Sequence, residues 1–307
     1  MAEYFIEQGI DKLVSEFIEG GCPSMAKLSL TDRRQGYVAS SILAGEKREL
    51  PEVQNITKED VCLRIYKASN ENNLPVVVYF HGGCFVSGSF DTHEQQLREI
   101  AFQANAIVVA VKYRLAPEYC YPAAHDDAFC AANYIYQNCH LWGGSNKKII
   151  LVGDSAGGQL ALVTSFRLRD TGNWQPKKQI LIYPMLDATA SCDSYKVNGQ
   201  DFIITSDALI SGFDMYVEGS SISHTHPEIS PFFRDDLKGL PETHIITAEF
   251  DPLLDEGELF YKKLLAAQVP AQCRRYLGVI HGFFQLSSLS QSARESIAHI
   301  SQIVKSV

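Results

Sequence analysis

Residues 153–158 read Gly-Asp-Ser-Ala-Gly-Gly, which places a serine between two glycines spaced two positions on either side of it. An apolar, mostly β-branched run at 149–152 precedes this stretch, and an apolar segment of helical length, 160–168, follows it. Between a strand and a helix, Gly-x-Ser-x-Gly predicts a tight turn that exposes the serine hydroxyl at the edge of a sheet. The N-terminus of the following helix favours negative charge there. We therefore interpret Ser155 as a candidate nucleophile.

A second glycine motif, His-Gly-Gly at 81–83, directly follows the apolar run 76–80. Two consecutive glycines allow the backbone to turn its N–H groups toward a site without interference from side chains. Taken alone the motif is compatible with a plain turn, but its place after a strand and upstream of the serine turn favours a functional interpretation. We predict that the N–H groups of Gly82, Gly83 and Ala156 stabilise an oxyanion.

A serine nucleophile needs a base, and the base needs an acid that orients it. On a strand–turn–helix scaffold of this kind the chain order is serine, then acid, then histidine, each after a strand. Asp251 and His281 both follow strand-like runs in that order. Asp255 and Asp187 are alternative acids, and Asp251 could instead cap the helix that follows it. We predict a Ser155–His281–Asp251 triad.

Strand-like and helix-like segments alternate along most of the chain. The strand-like runs lie at 76–80, 107–111, 149–152, 180–183, 245–248 and 272–277, and the helical patterns at 92–103, 123–138, 156–169, 255–267 and 292–304. Alternation of this kind predicts a mostly parallel sheet with helices on both faces. The run 61–66 alternates apolar and polar residues and predicts an antiparallel edge pair with the stretch before it. We expect one α/β domain over residues 1–307.

Two regions interrupt the alternation. Helical patterns at 9–19 and 31–45 precede any strand. Roughly sixty residues separate the run that ends near 184 from the next strand near 244, which is too long for an ordinary connection. The segment at about 1–46 could pack on the body of the protein or form part of a helical cap over a site, and the interval at about 187–229 could supply an inserted part of the same cap.

Four large apolar side chains near these motifs are candidate substrate contacts: Phe85, Leu186, Phe213 and Tyr216. The first follows the glycine loop, the second follows a strand, and the other two fall in a helical pattern of the predicted cap. The fold alone does not determine which acyl chain or alcohol such residues select.

Composition excludes several classes of partner. The net charge of −9 argues against nucleic acid or an anionic membrane surface. No apolar run approaches the roughly 20 residues that span a bilayer, so we expect no stable membrane anchor. The first residues lack a basic segment followed by an apolar one, so we expect a cytoplasmic protein. Eight cysteines without a C-x-x-C pair indicate free thiols, and no metal site is predicted.

Taken together, these motifs resemble the hormone-sensitive-lipase-like family of α/β-hydrolase carboxylesterases, in its bacterial branch. The matching segments follow the family's order over about 75–285 and lie at 81–83, 113–118, 153–158, 181–184, 251–256 and 281–283. The resemblance implies an α/β-hydrolase fold with a mostly parallel sheet of about eight strands, flanking helices and a helical cap. It also implies hydrolysis of small-molecule esters with short to medium acyl chains, and no metal or organic cofactor.

One residue departs from the family pattern: Cys84 stands where the third glycine of the oxyanion motif is usual. Its backbone N–H is retained, but a thiol must be accommodated near the site. Other interpretations stay open, since the same triad would serve an amidase, deacetylase or formamidase. Related plant hormone receptors use this fold without catalysis. Some relatives pair through an edge strand or the terminal helices, so a homodimer also stays open.

Overall fold

In the computed structural model, which describes residues 5–58, 61–172 and 174–307, eight strands form one sheet. The strands are β1 (Glu52–Lys58), β2 (Val61–Lys67), β3 (Leu74–Phe80), β4 (Ile107–Lys112), β5 (Gly144–Asp154), β6 (Lys178–Ile182), β7 (Glu242–Phe250) and β8 (Ala271–Ile280). Their spatial order is β1-β2-β4-β3-β5-β6-β7-β8. β2 is antiparallel to both of its neighbours, and the strands from β4 to β8 pair in parallel. The predicted mostly parallel sheet with an antiparallel edge is confirmed.

The central strands are apolar on both faces because helices cover both faces. In β3, Val76 and Val78 pack into one core cluster, whereas Val77 and Tyr79 pack into the other. All four side chains are fully buried. This continuous apolar pattern is typical of parallel strands enclosed between two helical layers.

Nine α-helices are seen in the described part of the chain. They are α1 (Gln8–Glu19), α2 (Leu30–Ser40), α3 (Phe90–Ala104), α4 (Ala123–Asn138), α5 (Ala156–Thr171), α6 (Ser194–Val197), α7 (Ser206–Val217), α8 (Leu254–Ala266) and α9 (Gln291–Lys305). Helices α4, α5 and α8 contribute to the core on one face of the sheet, and α1, α3 and α9 to the core on the other. None of the described helices is long and apolar enough to cross a membrane.

The parallel arrangement determines where the functional candidates meet. Strands β3, β5, β6, β7 and β8 run in the same direction, so their carboxyl ends lie at one edge of the sheet. The segments that follow them carry His81, Ser155, Tyr183, Asp251 and His281 in turn. An edge of this kind is the usual place for a ligand site in an α/β fold.

The helix predicted over 31–45 is shorter in the structure. The α-helix ends at Ser40, and a 3₁₀ turn, Ser41–Ala44, completes the segment. The side chains of Val38 and Ile42 are exposed, whereas that of Arg33 is buried. Contacts with α7, which a helical apolar pattern cannot show, decide which face of α2 is inside.

Candidate active site

The turn between β5 and α5 holds Ser155 in a strained backbone conformation, with φ 54° and ψ −119°. A positive φ is rare for a residue other than glycine and persists only where the surroundings impose it. A Cβ on Gly153 would collide with the carbonyl of Gly157, and a Cβ on Gly157 would collide with the carbonyl of Phe80. The two glycines therefore allow the close contacts that present the serine at the N-terminus of α5, as the motif predicts.

Three of the predicted side chains form one hydrogen-bonded chain. His281 Nε2 lies 3.1 Å from Ser155 Oγ, and His281 Nδ1 lies 2.9 Å from Asp251 Oδ2. The second carboxylate oxygen of Asp251 accepts a hydrogen bond of 2.8 Å from the N–H of Leu253, which fixes its orientation. The Tyr183 ring packs against the imidazole at a centroid distance of 4.6 Å. This arrangement can take a proton from the serine hydroxyl and stabilise the imidazolium that forms.

The alternative acids have other partners. The carboxylate of Asp187 accepts hydrogen bonds from the backbone and hydroxyl groups of Thr189 and Ser191. Asp255 Oδ2 accepts a hydrogen bond of 2.8 Å from the N–H of Ser194. Within the described residues neither carboxylate is hydrogen-bonded to His281. The geometry thus favours Asp251 as the orienting acid.

The predicted oxyanion donors need one correction. The N–H of Gly82 donates to Asp154 Oδ1 at 2.8 Å, so it is already used and is not available to a ligand. No acceptor in the part of the chain that the structure describes is hydrogen-bonded to the N–H of Gly83 or of Cys84. Ala156 is the first residue of α5, where an N–H has no partner within the helix. The free donors are therefore Gly83, Cys84 and Ala156, and Gly82 instead anchors the loop.

Asp154 is the anchor that holds Gly82. Its buried carboxylate also accepts a hydrogen bond from Tyr79 at 2.8 Å and lies 3.0 Å from His93 Nε2. Burial by itself would raise the pKa of Asp154, but the charge and hydrogen bonds of its neighbours, chiefly His93, outweigh burial and lower that pKa. An ionised carboxylate is a stronger acceptor than a neutral one. The contacts of Asp154 with Gly82, Tyr79 and His93 therefore hold the glycine loop in place.

His81 takes a supporting position in the same loop. Its ring stacks on that of Tyr113 at a centroid distance of 4.3 Å, and the Tyr113 hydroxyl donates to the His81 carbonyl at 2.7 Å. Burial lowers the pKa of His81 to about 4, so the ring is neutral at physiological pH. A neutral, stacked ring beneath the loop fits the interpretation that His81 supports the loop and does not react.

Cys84 adopts φ 54°, the left-handed region that glycine enters without cost. Its thiol is buried, and burial raises its pKa. The side chain packs against Gly212 of α7, where an added Cβ would collide with the Cβ of Cys84. A glycine on the neighbouring helix thus makes room for the cysteine where the family usually has glycine.

We expect Cys84→Gly to keep kcat/KM for p-nitrophenyl butyrate within about tenfold of the wild-type value. Glycine retains the backbone N–H and relieves the positive φ, while the buried thiol contacts are lost. Steady-state kinetics beside a melting curve measures both effects. A much larger fall in kcat/KM with an unchanged Tm would show that the loop geometry depends on the thiol.

A cavity of about 450 Å³ lies beside Ser155 and His281. Its wall is mostly apolar and comes largely from the N-terminal segment, with Phe17 of α1 and Tyr37 of α2, together with Ile204 and Leu286. Its size falls in the range of small-molecule sites. Sequence reasoning missed these residues, because the apolar spacing of a helix does not distinguish a core face from a cavity wall.

The four predicted substrate contacts do not line this cavity. All four side chains are fully buried in the core: Phe85, Leu186, Phe213 and Tyr216. The Phe85 ring stacks on that of Tyr216 at a centroid distance of 4.3 Å, with an interplanar angle of 7°. The backbone of Phe85 has φ 64°, a conformation that its place after the glycine motif does not reveal. The prediction that these residues face the cavity is therefore wrong.

The sheet order, the serine turn and the Ser–His–Asp geometry define the class of α/β-hydrolase proteins. A family model described as alpha/beta hydrolase fold matches residues 77–285. Carboxylesterase NlhH of Mycobacterium tuberculosis is 38% identical over 240 residues, which cover 77% of this chain and 75% of that protein.

Solved structures agree with this match. A hyperthermophilic esterase from the archaeon Pyrobaculum calidifontis superposes with a TM-score of 0.90 at 35% identity, over 98% of both chains. A thermostable esterase from Pseudomonas putida ECU1011 gives a TM-score of 0.91 at 29% identity, over 100% of this chain and 98% of that chain. The chain therefore belongs to the hormone-sensitive-lipase-like family of α/β-hydrolase carboxylesterases, which confirms the resemblance of its motifs.

Proposed function

We propose that this protein hydrolyses carboxylic esters with short to medium acyl chains, with Ser155 as nucleophile, His281 as base and Asp251 as the residue that orients the base. The observation that carries the proposal is the continuous hydrogen-bonded chain from Ser155 Oγ through His281 to Asp251, placed beside an apolar cavity. The esterases among its relatives support the same reaction.

In the first half of the reaction Ser155 Oγ attacks the ester carbonyl while its proton passes to His281 Nε2. The N–H groups of Gly83, Cys84 and Ala156 hold the negative oxygen of the tetrahedral intermediate. A single donor of this kind typically contributes ~10²–10³ in rate. When the intermediate collapses, His281 gives the proton to the leaving alcohol and an acyl-serine remains.

In the second half a water molecule takes the place of the alcohol. Its proton passes to His281 as its oxygen attacks the acyl-serine, and the same backbone N–H groups hold the second tetrahedral intermediate. Collapse returns the proton to Ser155 Oγ and releases the carboxylic acid. No other reactant is needed, and the enzyme ends the cycle in its starting state.

We propose that α1, α2 and the segment before α7 act as a cap on the substrate cavity. Side chains of all three line it, and long-range hydrogen bonds tie α2 to the body of the protein. Tyr37 donates to Gln285 at 3.0 Å, and Arg34 pairs with Glu118 at 2.7 Å. The cap would then limit acyl length by enclosing the cavity.

A panel of p-nitrophenyl acetate, butyrate, octanoate and dodecanoate, with p-nitroacetanilide and a formanilide beside it, tests this proposal. We expect kcat/KM to be highest for butyrate or octanoate and at least about tenfold lower for dodecanoate, because the proposed cap would limit the acyl length that the cavity accepts. The anilides should be poorer substrates than any short ester. If an anilide is turned over faster than the esters, the protein is an amidase that uses the same triad, and the proposal of an ester hydrolase is wrong. Turnover of none of them would point to a receptor.

A further inference from the structure

A buried arginine lies in the wall of the substrate cavity. Arg33 of α2 is only 4% exposed, and it lines the same cavity as Ser155 and His281. Its Nη1 donates to Ser211 Oγ at 3.0 Å, and its Nη2 donates to the carbonyl of Ala208 at 3.1 Å. Both of these acceptors are neutral, so they satisfy hydrogen-bonding capacity without balancing the charge.

No carboxylate of the described residues lies within ion-pair distance of Arg33. The contrast with its neighbour is direct, because Arg34 pairs with Glu118 at 2.7 Å although its side chain is 31% exposed. A buried charge without an opposite charge is costly, and proteins usually pair such groups. Within the described residues, the charge of Arg33 is therefore not balanced by an ion pair.

No other ionisable group of the described cavity wall forms an ion pair with Arg33. Burial raises the pKa of the Cys84 thiol and outweighs the effect of the adjacent Arg33, so the thiol stays protonated at neutral pH. Asp154 already accepts from Gly82 and Tyr79 and faces His93. The Glu16 side chain is 63% exposed and lies 3.7 Å from Lys12.

We propose that Arg33 binds a carboxylate carried by the substrate, so that the preferred esters bear an anionic group a few bonds from the scissile carbonyl. This inference rests on the proposed ester hydrolysis and adds its substrate class. Cys84 lines the same cavity as Arg33, and its backbone N–H lies in the candidate oxyanion hole. A carboxylate on either the acyl or the alcohol part satisfies the same charge.

Two matched substrate pairs test the proposal. In the first pair, mono-p-nitrophenyl glutarate carries a carboxylate on its acyl part and is compared with neutral p-nitrophenyl hexanoate. In the second pair, 3-acetoxypropanoate carries a carboxylate on its alcohol part and is compared with neutral butyl acetate. We expect the wild-type enzyme to favour the anionic member of at least one pair. Arg33→Met should lower that anionic-to-neutral ratio of kcat/KM by at least about 30-fold, since a charge-assisted hydrogen bond is lost. Arg33→Lys should retain part of the ratio.

Arg34→Met is the matched control, because it removes an arginine that ties the same helix but does not line the cavity. This variant should lower kcat/KM for both members of a pair together and keep the anionic-to-neutral ratio of kcat/KM within about threefold of the wild-type ratio. If Arg33→Met lowers kcat/KM equally for both members of a pair, Arg33 only holds α2 in place and the proposal is overturned. The proposal is also overturned if the wild-type enzyme prefers the neutral member of both pairs.

A binding measurement separates this proposal from the proposed function. Glutarate should raise the Tm of the wild-type protein and leave that of Arg33→Met unchanged, and this readout requires no turnover. If neither the neutral nor the anionic esters are hydrolysed, the proposal of ester hydrolysis fails, while the effect of glutarate on the Tm still decides the role of Arg33. A Tm that glutarate shifts equally in both proteins contradicts a carboxylate site at Arg33.

Discussion

Replacing Ser155 by alanine is expected to leave the fold intact and to lower kcat on p-nitrophenyl butyrate by at least ~10³-fold. The substitution removes Oγ, the atom that would attack the ester, and with it the hydrogen bond of 3.1 Å to His281 Nε2. Alanine has a smaller side chain that fits the same turn, and the buried glycine contacts around the turn are unchanged. The loss should therefore fall on kcat and leave stability nearly untouched.

The matched control is Ser165→Ala, which removes a buried hydroxyl from the same helix. Ser165 Oγ donates to the Ala161 carbonyl, one helical turn away, at 3.1 Å. A fluorophosphonate probe should label the wild-type protein and the control but not Ser155→Ala, and circular dichroism should be alike in all three. Turnover by Ser155→Ala close to the wild-type rate would rule out Ser155 as the nucleophile.

Replacing Asp251 by asparagine is expected to lower kcat by ~10⁴-fold at neutral pH, the size of loss known for this change in serine triads. The carboxylate accepts from His281 Nδ1 at 2.9 Å and from the Leu253 N–H at 2.8 Å. An amide cannot stabilise the imidazolium, and it favours the tautomer that leaves Nε2 protonated. His281 would then be unable to accept the serine proton.

Asp255→Asn tests the same chemical change four residues further along the chain. Its carboxylate holds the Ser194 N–H, so we expect a small loss of stability and kcat within about threefold of wild type. Equal losses in the two variants would contradict Asp251 as the orienting acid. Melting curves for both proteins show whether a loss of activity reflects a loss of folded protein.

Much of the fold follows from local pattern. The runs around β3, β4 and β5 are apolar without interruption, which is possible only for strands covered on both faces, and the structure shows this burial. The role of Gly153 is equally local, since it permits a contact with Gly157 within one strand–turn–helix unit, whereas Gly157 permits the close approach of Phe80 at the end of β3. Chain order then placed Asp251 and His281 after successive parallel strands, whose carboxyl ends meet at one edge.

The sequence by itself determined the strands, the serine turn and the order of the triad candidates, because each depends on neighbours along the chain. Only the tertiary structure decided which N–H groups are free, since Asp154, 72 residues from Gly82, accepts the hydrogen bond of the Gly82 N–H. It also decided that Phe85 faces the core and that Arg33 lies in the cavity wall, where no carboxylate of the described residues forms an ion pair with it. These outcomes depend on contacts between distant segments and on backbone direction after a tight turn, which residue types and spacing do not encode.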